Sequence, residues 1–341
     1  KLVEEAPAPF LTPEQRERIH QSAREICQAA GYVSAGTVEY LLSQNGAISF
    51  LEVNTRLQVE HPVTEETTGV DLVRAQFRVA EGEKLADITT PAPYGHAFEF
   101  RINAEDVGRG FLPAPGRVTR FEAPAGPGVR VDSGVQTGSL VAGQFDSMLA
   151  KLIVWGPTRE VAVQRARRAL KEFQIDGVPT VLPFHQAVMA HADFVNGDHM
   201  GVHTRWIETQ LMREWDEQPA SRPAPSGSAG LERVAIELDG RRVMLGLPAS
   251  LLSGLAAAPR ADAQQLAPSA ADANAVPAPS AGTLTAWKVS DGATVQEGEL
   301  IAVMEAMKME MQVNAPRSGR ISLKAEAGSY QAAGAVIARI E

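Results

Sequence analysis

The strongest constraint on this chain is a repeat near its end. SAGTLTAWKVSDGATVQEGELIAVME is echoed by RSGRISLKAEAGSYQAAGAVIARIE, with Gly282 matching Gly319, Gly292 matching Gly328 and Gly298 matching Gly334. Each half is strand-like and punctuated by turn residues, so two similar β half-units must fold together to close one core. The stretch joining them reads EAMKMEMQV, Glu305 to Val313. Met307, Met309 and Met311 alternate with Lys308 and Glu310, a pattern that fits strand, turn and strand and directs Lys308 outward. A surface lysine ordinarily needs no explanation. This one sits midway between two half-repeats, behind a stretch from Leu255 to Pro279 in which 15 of 25 residues are Ala or Pro. Such a stretch is a tether without a core of its own, spanning about 25 to 30 Å as a flexible coil. That arrangement suits a carrier arm.

Upstream, TPEQRERIHQSAREICQAAG predicts a helix capped by Thr12, with Pro13 in its first turn, Gln15 completing a capping box and Gly31 stopping it. Ile19, Ala23, Ile26, Cys27 and Ala30 form its expected buried stripe. TVEYLLS and AISFLEVN then predict a hairpin with a two-residue turn at Asn45-Gly46, pairing Gln44 with Ala47. That register sets Glu39 opposite Glu52. A helix is expected over about 70–81, strands over 96–154, and an amphipathic helix from Arg159 whose basic face reads as solvated surface. SRPAPSGSAG reads as a linker, and RVAIELDGRRVMLGLP as a second hairpin turning at Asp239-Gly240.

Two carboxylates facing across a hairpin repel by about 3 kcal/mol at ~5 Å and an effective dielectric of ~20. A cation between them removes the conflict, and oxygen-only ligands point to Mg2+ or Mn2+ shared with nucleotide phosphates. In LEVNTRLQVE the even positions Glu52, Asn54, Arg56, Gln58 and Glu60 share one face if the segment is extended. With Glu39 opposite, that face can hold both a metal and an anion.

The rest of the composition sets limits. A formal charge of -9 argues against a nucleic-acid or anionic-membrane surface. The single cysteine, Cys27, suits a reducing, cytoplasmic setting and reads as a packed thiol. No apolar run has membrane-span length and no signal-peptide pattern opens the chain. His61 precedes Pro62 and suits a turn; His199 and His203 have Gly201 between them and read as surface.

EAMKMEM resembles the biotin attachment motif of biotinyl carrier domains, with Lys308 matching the lysine that carries biotin. The related lipoyl domains usually have acidic Asp-Lys-Ala there. Ser280, where many carrier domains have methionine, is expected to alter packing only. FLEVNTRLQVEHPVTEETTGVDLV, HAFEFRINAED and FDSMLAKLI resemble the C-terminal half of an ATP-grasp biotin carboxylase. The resemblance covers residues 1–212 and 278–341.

The implied fold is α+β: an ATP-grasp C-terminal part over residues 1–90, a biotin carboxylase C-terminal domain over 91–212, linker and small β region over 213–277, and an all-β, flattened-barrel biotinyl domain over 278–341. The family implies that Glu39, Glu52 and Asn54 hold the metals on ATP. Lys1, Arg56, Gln58 and the Val59 amide would surround bicarbonate, Glu60 would be its base, and Arg101 would stabilise the biotin enolate. A carboxylate base beside a charge-assisted anion clamp raises the reactivity of bicarbonate towards the γ-phosphate, and metals and arginine meet the charge developing in phosphoryl transfer. The implied carboxyphosphate breaks down to CO2 and phosphate, which takes the biotin N1 proton before the ring attacks CO2.

The chain opens at Lys1, as a fragment would, without the N-terminal α/β domain and glycine-rich lid of a complete biotin carboxylase. Fusion of carboxylase and carrier, with its GVHTRWIET segment, resembles the α subunits of actinobacterial acyl-CoA carboxylases. This implies a separate acyl-CoA carboxyltransferase β subunit, of acetyl- or propionyl-CoA type, a biotin protein ligase and an oligomeric complex. The second hairpin is a candidate docking element for that partner. A silent carrier scaffold, or an α subunit of a pyruvate or methylcrotonyl carboxylase, is the alternative.

Overall fold

A computed structural model describes residues 1–85, 91–197, 200–213 and 274–341, with the backbone alone of 231–238 and 241–248. Contacts divide the chain into two units. The first comprises Lys1–Ala104, Gly116–Val141 and Met148–Pro219; the second, Glu105–Pro115, Ala142–Ser147 and Ala220–Glu341.

The first unit is organised by strands β1 (Val3–Ala6), β2 (Thr37–Leu42), β3 (Ile48–Asn54), β4 (His96–Asn103), β5 (Val129–Ser133) and β6 (Met148–Gly156). β1, β4, β6 and β5 form an antiparallel sheet in that order. Its alternating residues make two very different faces. Phe98, Phe100 and Ile102 point to one side with Leu152 and Val154, all fully buried, and Phe98 and Phe100 meet Phe194 and His185. Helices α4 (Arg159–Glu172) and α5 (Leu182–Ala190) cover this apolar side. Glu99 and Arg101 lie on the opposite side.

The helices before them are α1 (Pro13–Ala29), α2 (His61–Thr68) and α3 (Leu72–Ala80). The predicted capping box at Thr12 and Gln15 forms, with Pro13 in the first turn. The stripe on α1 is only half-buried at Ile19, Ala23, Ile26 and Cys27, and Ala30 is exposed. α3 starts two residues later than expected because Asp71 caps it, accepting a hydrogen bond from the Arg74 amide. His61 opens α2 instead of making a turn, with Pro62 tolerated in the first turn where its missing N–H costs nothing.

The basic face of α4 is not a plain solvated surface. Arg159 is buried, bonded to Glu5 and to the carbonyls of Phe194 and Val195. Arg165 and Arg167 donate to the carbonyls of Trp155 and Met189. Guanidinium groups satisfy loop carbonyls that the apolar core cannot.

In the second unit, β7 (Leu231–Leu238) and β8 (Arg241–Pro248) pair as an antiparallel hairpin from Leu238↔Arg241 outward, as the Asp-Gly signal predicts. The linker and most of the tether lie outside the described residues, as does His199; His203 is exposed. The repeat then unfolds into β9 (Ala275–Pro277), β10 (Gly282–Trp287), β11 (Thr294–Val295), β12 (Leu300–Ala306), β13 (Met309–Asn314), β14 (Gly319–Leu323), β15 (Tyr330–Gln331) and β16 (Val336–Ile340). Two four-stranded sheets result, β9-β16-β14-β11 and β13-β12-β10-β15. Each short middle strand crosses to the other half: β11 pairs with β14, and β15 with β10. The exchange lets Leu284, Ile301, Met304, Ile321, Ile337 and Ile340 share one core.

The matched glycines serve matched ends. Gly292 and Gly328 take φ +78 and +85 and donate to Ile321 and Leu284. The tether reading fails at its last residues: β9 pairs with β16, and Val276 and Ala278 are 1% and 2% exposed, so alanine-rich composition hid a strand.

Candidate functional site

The hairpin of β2 and β3 opposes Glu39 to Glu52, as the sequence predicts, but by another route. Ser43 and Ala47 pair around a three-residue loop, not a two-residue turn. Asn45 Oδ1 accepts from the Ala47 amide and Gly46 takes φ +82. This sets Leu42, Leu41 and Tyr40 against Ile48, Ser49 and Phe50; the register then shifts by one, leaving Leu51 unpaired, before Glu39↔Glu52. The bulge compensates for the longer loop.

The extended reading of LEVNTRLQVE also needs correction. β3 ends at Asn54, and a turn carries the chain to the N-cap of α2 at Glu60. Asn54, Gln58 and Glu60 converge by that turn, not by strand pleating. Glu39 Oε1 accepts from Lys1 Nζ at 2.8 Å, Gln58 Nε2 at 2.8 Å and Asn54 Nδ2 at 3.0 Å. The Lys1 and Gln58 hydrogen bonds hold the Glu39 carboxyl below the usual carboxylate range. Asn54 also donates to Glu52 at 3.2 Å, and Arg56 donates to Asn54 Oδ1 at 3.4 Å. Lys1, although half-exposed, is tied in: its Nζ lies 3.9 Å from Glu60 Oε1.

Arg101 completes the group from β4. Its Nη2 lies 2.8 Å from Glu60 Oε2 and 2.8 Å from Glu4 Oε1 on β1. His185 fixes the Arg101 backbone from the apolar side, with Nε2 2.7 Å from the Arg101 carbonyl. Burial lowers the His185 imidazole to about 4, so it stays neutral and serves as a hydrogen-bond donor. Lys151 on β6 donates to the Val59 carbonyl at 3.1 Å, pinning the backbone beside Glu60. Lys1, Glu4, Glu39, Gln58, Glu60 and His61 line an open cavity of about 800 Å³. Glu4, Glu99, Lys151 and His185 carry no sequence signal of their own; the pairing of β1, β4 and β6 puts Glu4, Glu99 and Lys151 on the Arg101 side of the sheet, with Glu4 lining the cavity, while His185 supports Arg101 from α5 on the apolar side.

No group of three His, Cys, Asp or Glu side chains gathers as a metal site among the described residues. The two carboxylates and one amide at Glu39, Glu52 and Asn54 nonetheless fit Mg2+ or Mn2+, which fill their coordination with phosphate oxygens and water.

Lys308 stands at the tip of the hairpin joining the half-repeats. Ala306 pairs with Met309, leaving Met307 and Lys308 as a two-residue turn with φ +50 and +63. Met307 is 3% exposed, whereas Lys308 is exposed. The buried methionine anchors the turn and the lysine projects, as expected. Ser280 is buried and donates to the Pro113 carbonyl at 2.9 Å, so the departure at this position is a satisfied polar contact.

Three family models match: an ATP-binding domain of the carbamoyl-phosphate synthase L chain over residues 1–88, a biotin carboxylase C-terminal domain over 99–209, and a biotin-requiring enzyme domain over 274–340. The chain is 52% identical, over its whole length, to the biotin-dependent acyl-coenzyme A carboxylase alpha3 subunit of Mycobacterium leprae, covering 59% of it. It is 49% identical to a Nostoc biotin carboxylase, over 58% of this chain and 44% of the relative. Among solved structures, the bicarbonate-bound biotin carboxylase domain of a thermophilic 2-oxoglutarate carboxylase matches with TM-score 0.59 and 42% identity, over 65% of this chain and 48% of that one. A single-chain, multi-domain long-chain acyl-CoA carboxylase matches with TM-score 0.58 and 32% identity, over 100% of this chain and 32% of that one. The chain thus spans about half the length of the curated relatives it matches. Among the described residues no helix is long and apolar enough to cross a membrane.

Proposed function

Since the chain belongs to the biotin-dependent carboxylases, we propose that it takes part in ATP- and bicarbonate-dependent carboxylation of its own biotin and carries the product to a separate acyl-CoA carboxyltransferase subunit. The observation that carries this reading is the Arg101–Glu60 pair, 2.8 Å apart, whose Glu60 lines a cavity together with Lys1, Glu39 and Gln58. The pair sets a base beside a fixed cation, as proton removal from an anion requires.

Bicarbonate is held by Lys1, Arg56, Gln58 and the Val59 amide, and Glu60 takes its proton. The Glu39–Lys1 and Glu39–Gln58 bonds keep those donors oriented before the anion arrives. Arg101 would offer its guanidinium to bound biotin and would stabilise negative charge there. Glu39, Glu52 and Asn54 hold the Mg2+ or Mn2+ of the nucleotide, which neutralises phosphate charge when bound. Biotin joined to Lys308 by an amide supplies the ring nitrogen that bears the carboxyl group.

Residues 1–90 form the ATP-grasp part, 91–212 the carboxylase C-terminal domain, 213–277 the linker region and 278–341 the carrier. The partners are a carboxyltransferase of acetyl- or propionyl-CoA type within an oligomer, and a biotin protein ligase; a reducing cytoplasm suits the free Cys27. ATP hydrolysis by the full-length protein tests the reading. It is expected to require both bicarbonate and biotin, and hydrolysis indifferent to bicarbonate would overturn the assignment.

A further inference from the structure

Glu99 is a poorly accommodated carboxyl among the described residues of the first unit. It is fully buried on β4, and neither of its oxygens has a hydrogen-bond partner among the described residues. Strand register places it directly opposite Glu4 of β1, two residues from Arg101 and so two rungs from the Lys151↔Arg101 pair, on the same face of the sheet. Arg101 and Lys151 are already engaged, with Glu60 and Glu4 and with the Val59 carbonyl. A buried carboxylate with no donor of its own, facing a second carboxylate, is expensive; a carboxylic acid is not.

Building on the carboxylase reading, we propose that Glu99 is a positioning residue that keeps its proton at neutral pH and so leaves Arg101 to Glu60 and Lys151 to the Val59 carbonyl. The surrounding groups support it. Glu4 comes from β1, Arg101 from the same strand and Lys151 from β6. Arg130 and Asp132 come from β5, bonded to each other, and Arg130 also reaches Glu65 and Glu66 of α2. Glu60, His61 and Lys1 close the cavity side. The cations therefore have partners without Glu99. Burial raises the Glu99 carboxyl to about 8, against the pull of Lys151 and with Glu4 adding to the rise. Above that pH a new anion would compete for Arg101 and Lys151, drawing Arg101 from the base and Lys151 from the backbone that presents the Val59 amide.

The test compares full-length wild type with Glu99→Gln. Infrared spectra from about pH 6 to about pH 9.5 should contain a protonated-carboxyl C=O band in the wild type that fades near pH 8 and is missing from Glu99→Gln. Bicarbonate-dependent ATP hydrolysis by the wild type should fall about tenfold per unit above that pH, whereas Glu99→Gln keeps kcat within about twofold and has a flat alkaline limb. Identical spectra, an unchanged alkaline limb or an unfolded Glu99→Gln would each overturn the proposal, because a neutral amide of the same shape must serve. Loss of bicarbonate dependence in both proteins would instead refute the functional reading, and the infrared band would still decide where the proton is.

Discussion

Replacing Glu99 by glutamine should make the first unit more stable at neutral pH. The ordinary carboxyl value is 4.5, and burial lifts Glu99 to about 8 in the folded protein. Below pH 4.5 folded and unfolded chains both carry the proton, so the substitution changes little. Between pH 4.5 and about 8 only the folded chain keeps it, and wild-type stability falls by about 1.4 kcal/mol per pH unit. Integrated from pH 4.5 to pH 7 this is about 3 to 4 kcal/mol; coupling to Glu4 and relaxation around the site bring the expected gain for Glu99→Gln to about 1 to 3 kcal/mol. Native-state hydrogen exchange at the β4 amides reads the opening of this sheet. The stability difference between variant and wild type should grow from pH 5 to pH 8 and then level off. A difference that is constant over that range, or one that shrinks with rising pH, would refute the protonated buried carboxyl.

Three further substitutions test other parts of the account. Glu52→Gln removes one of two opposed carboxylates, so it should leave folding intact or stabilise the hairpin by about 1 kcal/mol while abolishing the thermal shift produced by MgATP in the full-length protein; an unchanged shift would mean the hairpin does not hold the metal. Gly282→Ala places a methyl group against the Glu305 backbone carbonyl and should cost the carrier domain about 2 to 4 kcal/mol in urea unfolding, whereas Gly298→Ala, with open space around it, meets only the strain of φ +83, about 1 kcal/mol. Equal costs would show that close approach is not the reason for Gly282. Lys308→Ala removes an exposed side chain at the tip of a turn, so circular-dichroism melting of the carrier should be unaffected while biotin incorporation, read by avidin blotting, is lost.

Much of this was legible because local chemistry and long-range geometry agreed. The glycine-matched repeat, the capping box at Thr12, the opposition of Glu39 and Glu52 and the outward turn of Lys308 all follow from spacing. The hairpin shows the limit: Asn45-Gly46 suggested a two-residue turn, yet a longer loop and a bulge at Leu51 together restored the same pairing. Two compensating errors in register cannot be seen in a pattern of alternation. The residues around Arg101 were legible by family resemblance, not by periodicity, since Arg56, Gln58 and Glu60 leave the strand after Asn54. Glu99 was illegible for a different reason. In HAFEFRIN it looks like the solvent-facing member of an alternating strand, and only α2 lying over that face, held by the Arg101–Glu60 and Arg130–Glu65 pairs, makes it a buried charge. β9 was missed because Ala275 and Pro277 have the composition of a tether, whereas pairing with β16 supplies the hydrogen bonds that propensity does not.

The central claim is that one protein carries both the carboxylating residues and the lysine they serve. Peptide mapping of the full-length protein by mass spectrometry, after incubation with MgATP and isotope-labelled bicarbonate, tests both parts together. The account predicts a biotinyl increment on Lys308, and label arriving on that peptide in wild type but not in Glu60→Gln, which remains biotinylated. An unmodified Lys308, or label that arrives equally well without Glu60, would contradict it.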